Sequence, residues 1–170
     1  METIACIANR VSIREYNASP LSREVLEMLV DCGRRAPTAR AVEPWHFVVV
    51  TAKECLIKLA SLAPTGGFLR DAAACIVVFC QDTKYYLEDG CAATENILLA
   101  AADQGLGACW IAGDKKEFAP EVSLLLDAPD HMKLVSLISL GYPLKGRKQS
   151  KKLSLQDVLH WEKFAAKTGS

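Results

Sequence analysis

The sequence lacks an excess of charge of either sign, and it lacks a hydrophobic run long enough to cross a membrane. Lysine and arginine together number 20, as do aspartate and glutamate, so no net field draws the molecule to nucleic acid or to an acidic membrane surface. The longest apolar run, residues 72–80, falls well short of the roughly 20 residues that a membrane-spanning helix needs. The opening residues also lack the pattern of a secretory signal. We therefore expect a cytoplasmic protein that binds neither membranes nor nucleic acid.

Several motifs that carry chemistry in other enzymes are missing as well. The sequence contains no G-x-S-x-G, P-loop or H-E-x-x-H motif and no paired-carboxylate signature, so hydrolase, kinase and metalloprotease functions have no support. Gly105 and Gly107 lack the third glycine of a dinucleotide-binding fingerprint, and they follow a predicted helix rather than a strand. They are typical instead of a helix C-cap followed by a turn.

The cysteines show no pairing pattern. There are seven, an odd number, with no C-x-x-C pair and no histidine at metal-ligand spacing, so neither a disulfide framework nor a metal site is indicated. We expect reduced thiols that are mostly buried as small hydrophobic residues. Cys109 has no neighbouring base in the sequence that would make it a nucleophile.

The overall composition of the sequence is that of one globular domain. Of its 170 residues, 51% are hydrophobic and 24% are charged, which is typical of a single compact domain. Periodicity and helix-breaking residues predict helices at 21–35, 53–62, 85–104, 115–126 and 155–164. Strands are predicted at 45–51, 73–81, 108–112 and 133–141. Helices and strands interleave, which favours an α/β or α+β fold with several helices packed on one sheet.

Two of these elements are expected at the centre of the fold. The strand at 73–81 is apolar on both faces, as in a strand that has neighbours on both sides. The helix at 85–104 carries many glycine and alanine residues, which let another helix pack closely. This helix is therefore also a candidate for a subunit interface.

The segment Arg10-Val11-Ser12-Ile13-Arg14 places polar residues at alternate positions. If it is extended, two guanidinium groups and a hydroxyl share one face along about 13 Å of chain. Guanidinium is the preferred bidentate partner of phosphate, and serine adds a hydrogen bond. The alternative is a pair of solvated arginines beside Glu15 and Asp31.

A loop of small residues between two prolines leads into the first predicted strand. Pro37 ends the helix at 21–35, and Pro44 precedes Trp45 at the start of the strand. A rigid corner of this kind positions backbone amides for a ligand. The alternative is an ordinary helix-to-strand connection with Trp45 in the core and His46 as a structural core histidine.

Two further segments have the character of binding surfaces. Ala112 and Gly113, at the end of a predicted strand, are small enough for a flat ring to lie against the backbone. Residues 145–152 carry five positive charges and no acid, and they are either a solvated tail or a second arm of a phosphate-binding site. The lack of interleaved aromatic residues argues against nucleic-acid binding there.

Taken in order, these segments resemble the FMN-dependent nitroreductase family, in particular its short, single-domain members. The resemblance spans nearly the whole chain, so we expect one nitroreductase-like FMN-binding domain over residues 1–170. The matching motifs are Arg10-x-Ser12-x-Arg14, Ala36-Pro37-Thr38, Pro44-Trp45-His46-Phe47, the helix over 93–101 leading into Gly105-Leu106-Gly107-x-Cys109-Trp110-Ile111, and Leu140-Gly141-Tyr142-Pro143.

The resemblance implies an α+β homodimer with two FMN sites at the interface, each built from both chains. It also implies that NADH or NADPH delivers electrons, and that a nitroaromatic compound, a quinone or a similar small acceptor receives them in a ping-pong cycle. In such enzymes the flavin carries the redox chemistry while the protein binds, orients and tunes it. No catalytic side chain is therefore expected.

The same resemblance assigns the site residues. Arg10 and Ser12 match the residues that bind the FMN phosphate, and Arg14 matches the cation near the pyrimidine edge of the flavin. The loop that the partner subunit lays against the ring corresponds to Pro37, Thr38 and Ala39. The segment whose backbone amides reach the flavin N5 and O4 corresponds to Trp110, Ile111, Ala112 and Gly113. The basic segment adds a phosphate contact that the sequence leaves unassigned among Arg147, Lys148, Lys151 and Lys152.

Two features leave alternatives open. Ala41 and Glu43 stand where the family commonly has Asn-x-Gln before Pro-Trp, so an amide hydrogen bond to the flavin is missing or replaced. The same scaffold also serves dehalogenation, enone reduction and flavin fragmentation, and the pocket rather than the fold decides among them. A flavin-binding or regulatory module with little turnover is the other alternative.

Overall fold

The computed structural model describes residues 2–146 and 149–164. In these ranges the helices are α1 (Thr3–Asn9), α2 (Arg23–Gly33), α3 (Lys53–Leu62), α4 (Tyr86–Asp103), α5 (Ala119–Leu125) and α6 (Leu155–Val158). The strands are β1 (Trp45–Val50), β2 (Ala74–Gln81), β3 (Gly107–Ala112) and β4 (Met132–Gly141). Short 3₁₀ turns occupy Ala39–Ala41 and Gly67–Asp71. None of the helices described is both long and apolar enough to span a bilayer.

The strands form one antiparallel sheet in the order β1-β2-β4-β3. The structure confirms the α+β class, and it confirms that the strand predicted at 73–81 has neighbours on both sides. Trp45 is buried in the core at the start of β1, as in the structural interpretation of that motif. His46 is exposed, so its interpretation as a core histidine is wrong.

The apolar character of β2 arises because helices cover both faces of the sheet. Ile76 and Val78 face the core cluster shared with α2 and α4, whereas Val77 and Phe79 face the cluster shared with α3 and α5. Each of these four side chains is at most 1% exposed. Successive residues of a strand point to opposite faces, so a strand with two covered faces is apolar throughout.

Local signals fix the ends of the two long helices. The Ser22 hydroxyl accepts a hydrogen bond from the backbone N–H of Val25 and caps α2. At the end of α4 the N–H of Leu106 donates to the carbonyl of Ala101 at 2.8 Å, and Gly105 has a φ of 70°. This is a Schellman motif, which confirms the interpretation of Gly105 as part of a helix cap.

Two predicted helices are shorter than expected. The helix predicted at 115–126 begins only at Ala119, because Lys115 adopts a left-handed φ of 53° and Pro120 lies in the first turn, where a missing N–H costs nothing. The helix predicted at 155–164 is wrong beyond Val158, since Leu159 is extended and Glu162 has a φ of 58°. Apolar side chains in this segment are exposed, so packing within one chain does not support a longer helix.

The N-terminal helix α1 is an element that no pattern predicts. It has seven residues, too few to show a clear period. Its buried residue is Cys6, whose thiol donates to the carbonyl of Leu99 on α4 at 3.2 Å. The helix therefore depends on a tertiary contact rather than on local propensity.

The cysteines are free thiols, and four of the seven are buried. Burial raises the pKa of Cys80 to about 12 and also raises the pKa of Cys75. Since the thiolate is the reactive form, these thiols act as small hydrophobic residues at neutral pH.

Candidate functional site

Residues 10–14 run as an extended segment beside the start of β3. The backbone N–H of Ile13 donates to the carbonyl of Ala108 at 2.9 Å, and Ser12 pairs with Ala108 in a parallel bridge. Ile13 is buried, whereas Arg14 at the next position is exposed. The segment thus has the alternation that brings polar side chains to one face.

Tyr16 anchors the end of this segment to the sheet. Its hydroxyl donates to the carbonyl of Ile13 at 2.6 Å and shares a hydrogen bond of 2.6 Å with the hydroxyl of Ser139 on β4. Burial raises the pKa of Tyr16 well above its ordinary value, so the hydroxyl stays neutral and keeps its proton for donation. The arginines therefore project from backbone that is joined to both β3 and β4.

A cleft of about 380 Å³ opens beside this segment. It is lined by Arg10, Val11, Ser12, Arg14, Gln149, Ser150 and Lys152. Three cations and two hydroxyls thus meet around one small volume, which is the donor set that a phosphate group requires. The lining combines residues 10–14, near the start of the chain, with residues 149–152, more than 130 positions later.

The structure sorts the cofactor-binding residues predicted in segments 10–14 and 147–152 into three groups. It brings together four of them: Arg10, Ser12, Arg14 and Lys152. Lys151 is exposed and does not belong to the lining of this cleft. Arg147 and Lys148 lie outside the described residues.

Each arginine makes a contact that sequence reasoning missed. The Nε atom of Arg10 lies 3.6 Å from Oε1 of Glu95 on α4. The guanidinium carbon of Arg14 lies 5.7 Å from the centre of the Phe68 ring, at cation–π distance. No local pattern marks Glu95 or Phe68 as a partner, because both contacts depend on how distant elements pack.

The second half of β3 contains the segment predicted to contact the ring. The N–H of Gly113 donates to the carbonyl of Val135 at 2.9 Å. Backbone groups alternate in direction along an antiparallel strand, so the amides of Trp110 and Ala112 point away from β4 and toward the open edge of the sheet. The amides of Trp110 and Ala112 are therefore oriented for a ligand, whereas that of Gly113 is engaged inside the sheet.

The side chains at positions 112 and 113 are small, and the backbone at Ala112 is accessible. Ala112 is exposed and lies on the wall of a cavity of about 650 Å³ that also contains Phe118 and Lys116. At Gly113 a Cβ atom would lie 2.5 Å from Cγ of Leu134, so a side chain does not fit there. A flat group has room to approach this stretch of backbone.

The loop that contains Pro37, Thr38 and Ala39 lies elsewhere in the chain. It leads into β1, which occupies the sheet edge opposite β3. The hydroxyl of Thr38 and the N–H of Ala39 donate to the two carboxylate oxygens of Asp89, at 3.0 and 2.9 Å. Within one chain, therefore, the structure does not bring this loop to the cleft around Arg10.

Comparison with known proteins finds a matching family model, similar sequences and similar solved structures. The sequence model of the Nitroreductase family matches residues 7–89 and 62–142. A Methanothermobacter thermautotrophicus protein named as an NADH dehydrogenase/NAD(P)H nitroreductase is 33% identical, and the match covers 96% of this chain and 88% of that protein. A Bacillus subtilis FMN reductase (NADPH) is 26% identical over 98% of this chain and 76% of its own length. The solved structure of an FMN-dependent nitroreductase from Clostridium difficile R20291 superposes with a TM-score of 0.85 at 27% identity, covering 95% of this chain and 99% of that one.

Proposed function

The chain belongs to the nitroreductase family, and on this premise we propose that it is an FMN-dependent NAD(P)H oxidoreductase. Its electron acceptors are nitroaromatic compounds, quinones or similar small molecules. The nicotinamide nucleotide and the acceptor use one site in turn, in a ping-pong cycle. It works as one domain per chain and as a homodimer.

The observation that carries this proposal is the cleft in which Arg10, Ser12 and Lys152 meet, with Arg14 on the same lining. A phosphate monoester bears nearly two negative charges at neutral pH, and charge-assisted hydrogen bonds from guanidinium, ammonium and hydroxyl groups match it. Arg10 is held beside α4 and Ser12 is held beside β3, so both donors are ordered before a ligand arrives. The residues present therefore fit the phosphate of FMN.

The remaining proposed contacts are with the flavin ring, at the end of FMN away from the phosphate. When bound, FMN supplies the two-electron redox chemistry of the reaction. Arg14 offers a cation that Phe68 keeps beside the cleft, and the amides of Trp110 and Ala112 offer donors at the sheet edge. The chain's own task is to bind, orient and partly enclose the flavin while one face remains open to small molecules.

The homodimer is supported by apolar surface that one chain leaves uncovered. The C-terminal segment 153–164 exposes Leu153, Leu155, Val158, Leu159, Trp161 and Phe164 by between 41 and 87%. Large contiguous apolar surfaces mark interaction sites. In the dimer, Pro37, Thr38 and Ala39 of one chain complete the flavin site of the other, which accounts for their absence from the cleft lining of their own chain.

A flavin-binding titration followed by reduction tests the proposal. Flavin-free protein is titrated with FMN and with riboflavin while flavin fluorescence is followed, and the FMN complex is then mixed with NADH or NADPH without oxygen. We expect FMN to bind at least about tenfold more tightly than riboflavin, because each charge-assisted contact contributes roughly 1.5–3 kcal/mol. We also expect one of the nucleotides to bleach the yellow colour and a quinone or nitroaromatic compound to restore it.

Each step of this experiment has its own contrary result. Equal affinity for FMN and riboflavin overturns the role of the cleft in phosphate binding. Tight FMN binding without bleaching by either nucleotide indicates a flavin-binding module with little turnover instead of an oxidoreductase.

A further inference from the structure

Asp89 is a charged side chain in a buried position that the proposed assignments do not use. It lies in the first turn of α4 and is 4% exposed. A buried carboxylate is costly unless hydrogen bonds compensate for the water that it has lost. The partners of Asp89 therefore indicate what this charge is for.

Those partners belong to the loop between α2 and β1. Oδ1 of Asp89 accepts the N–H of Ala39 at 2.9 Å, and Oδ2 accepts the hydroxyl of Thr38 at 3.0 Å. The oxygen of the same Thr38 hydroxyl accepts the N–H of Glu43 at 3.1 Å. One carboxylate thus begins a hydrogen-bonded chain that closes the loop from Thr38 to Glu43.

The loop that is closed in this way has a strained backbone. Arg40, Ala41 and Glu43 have φ angles of 61°, 53° and 52°, in the left-handed region that residues other than glycine rarely adopt. All three are exposed, so burial of their side chains does not hold them in this conformation. The hydrogen bonds that start at Asp89 oppose the strain, together with the longer bond of 3.4 Å from the N–H of Val42 to the carbonyl of Ala39.

From this arrangement we propose that Asp89 is a positioning residue that holds the loop from Thr38 to Glu43 as a preformed wall for the flavin ring. The inference rests on the proposed function, in which this loop meets the ring bound by the partner chain. A strained, exposed and rigidly fastened loop is typical of a binding surface.

Substitutions at Thr38 test the inference without removing the buried charge. Thr38→Val keeps the shape of the side chain but loses the hydroxyl, whereas Thr38→Ser keeps the hydroxyl. Asp89→Asn is the second probe, and Glu88→Gln is its matched control, because Glu88 is an exposed acid in the same helical turn. Each variant is titrated with FMN and with riboflavin, and amide hydrogen exchange is measured at Ala39 and Glu43.

We expect Thr38→Val and Asp89→Asn to lose exchange protection at both amides and to bind FMN and riboflavin each about tenfold more weakly, as for loss of one hydrogen bond to a charged group. The two flavins lose affinity together because the loop meets the ring and not the phosphate. Thr38→Ser is expected to restore most of the protection and affinity that Thr38→Val loses, because it keeps the hydroxyl. Glu88→Gln is expected to stay within about twofold of the unchanged protein in both measurements.

The outcomes separate this inference from the proposed function. If the unchanged protein binds FMN but Thr38→Val loses protection with no loss of flavin affinity, the loop is not part of the flavin site and the inference is overturned. It is overturned equally if only FMN, and not riboflavin, binds more weakly. If the unchanged protein binds neither flavin, the proposed function itself fails.

Discussion

The Nε atom of Arg10 lies 3.6 Å from Oε1 of Glu95, and this ion pair joins the N-terminal segment to the central helix α4. The two side chains are 24% and 46% exposed, so the pair stabilises the fold by only about 0.2–1 kcal/mol. Its larger consequence is local, because it places a negative charge beside the arginine proposed to bind phosphate.

Glu95→Gln should therefore strengthen FMN binding. Removing a repulsive charge of this exposure is expected to raise FMN affinity about two- to fivefold, while riboflavin, which has no phosphate, is unaffected. Fluorescence titration of both flavins measures this. Weaker FMN binding in the variant would contradict the charge argument and show that Glu95 mainly orients the guanidinium group.

Arg10 and Arg14 should affect different properties of the bound flavin. Arg10→Ala is expected to lower FMN affinity at least about tenfold, because one charge-assisted contact to the phosphate is lost. Arg14→Ala is expected to leave oxidised FMN largely bound but to make it harder to reduce, since a fixed cation stabilises the negative charge that reduction places at the N1 and O2 edge. Spectroelectrochemical titration compares the two variants. An unchanged midpoint potential in Arg14→Ala would show that the two roles are wrongly assigned.

Gly107→Ala should disturb the phosphate-binding segment through Ile13. A Cβ atom at Gly107 would lie 2.6 Å from Cγ2 of Ile13, which is buried and lies between the two arginines in the sequence. We expect a loss of roughly 1–3 kcal/mol of unfolding free energy, typical of overpacking, together with weaker FMN binding. Gly67→Ala is the control, because a Cβ atom there meets nothing within 4 Å. Unchanged stability and FMN affinity in Gly107→Ala would refute this coupling.

Tyr86 should contribute to stability below pH 10 and lose that contribution at higher pH. Its hydroxyl donates to Oδ1 of Asp114 at 2.5 Å, and this hydrogen bond, together with burial, raises the pKa of Tyr86 from 10.0 to about 12. The folded state therefore favours the protonated phenol. The stabilisation is complete below the unfolded pKa and disappears between about pH 10 and 12.

Denaturant unfolding of Tyr86→Phe measures this dependence. The variant is expected to be less stable by about 1 kcal/mol at pH 8, and the difference should shrink as the pH rises toward 12. Tyr142→Phe serves as the comparison, since Tyr142 is 38% exposed. A stability difference for Tyr86→Phe that stays constant across this range would contradict the role of the Asp114 hydrogen bond.

The C-terminal segment should stabilise the dimer. Trp161 and Phe164 are 79% and 87% exposed in one chain, and aromatic anchors commonly dominate an interface. Replacing both by alanine is expected to raise the dissociation constant of the dimer at least about tenfold, as measured by sedimentation. Leu124→Ala is the control, because Leu124 is 80% exposed on α5, outside this segment. A dimer that resists the double substitution would place the interface elsewhere.

Sequence patterns were sufficient to predict a feature wherever that feature depends on residues close together in the chain. The two-sided apolar pattern of β2 and the Gly105 turn each concern neighbouring residues, and each matches the structure. Prediction was wrong where an element depends on packing. The helix predicted at 155–164 ends at Val158, and the apolar residues of this segment remain exposed in one chain. The same limit applies to α1, which is too short to show a period.

By itself the sequence determined most element boundaries and the order of the motifs, because these follow from side-chain periodicity, capping residues and breakers along the chain. Those patterns left α/β and α+β both open, and the family resemblance pointed to α+β. Only the tertiary structure decided which distant residues meet. Thr38 contacts Asp89, which is 51 positions away in the sequence. Arg10 contacts Glu95 on α4, a helix whose place in the sequence follows from propensity but whose position in the fold does not. Such contacts depend on the sheet order and on how helices pack against it, and those are settled by the burial of the whole core rather than by any one segment.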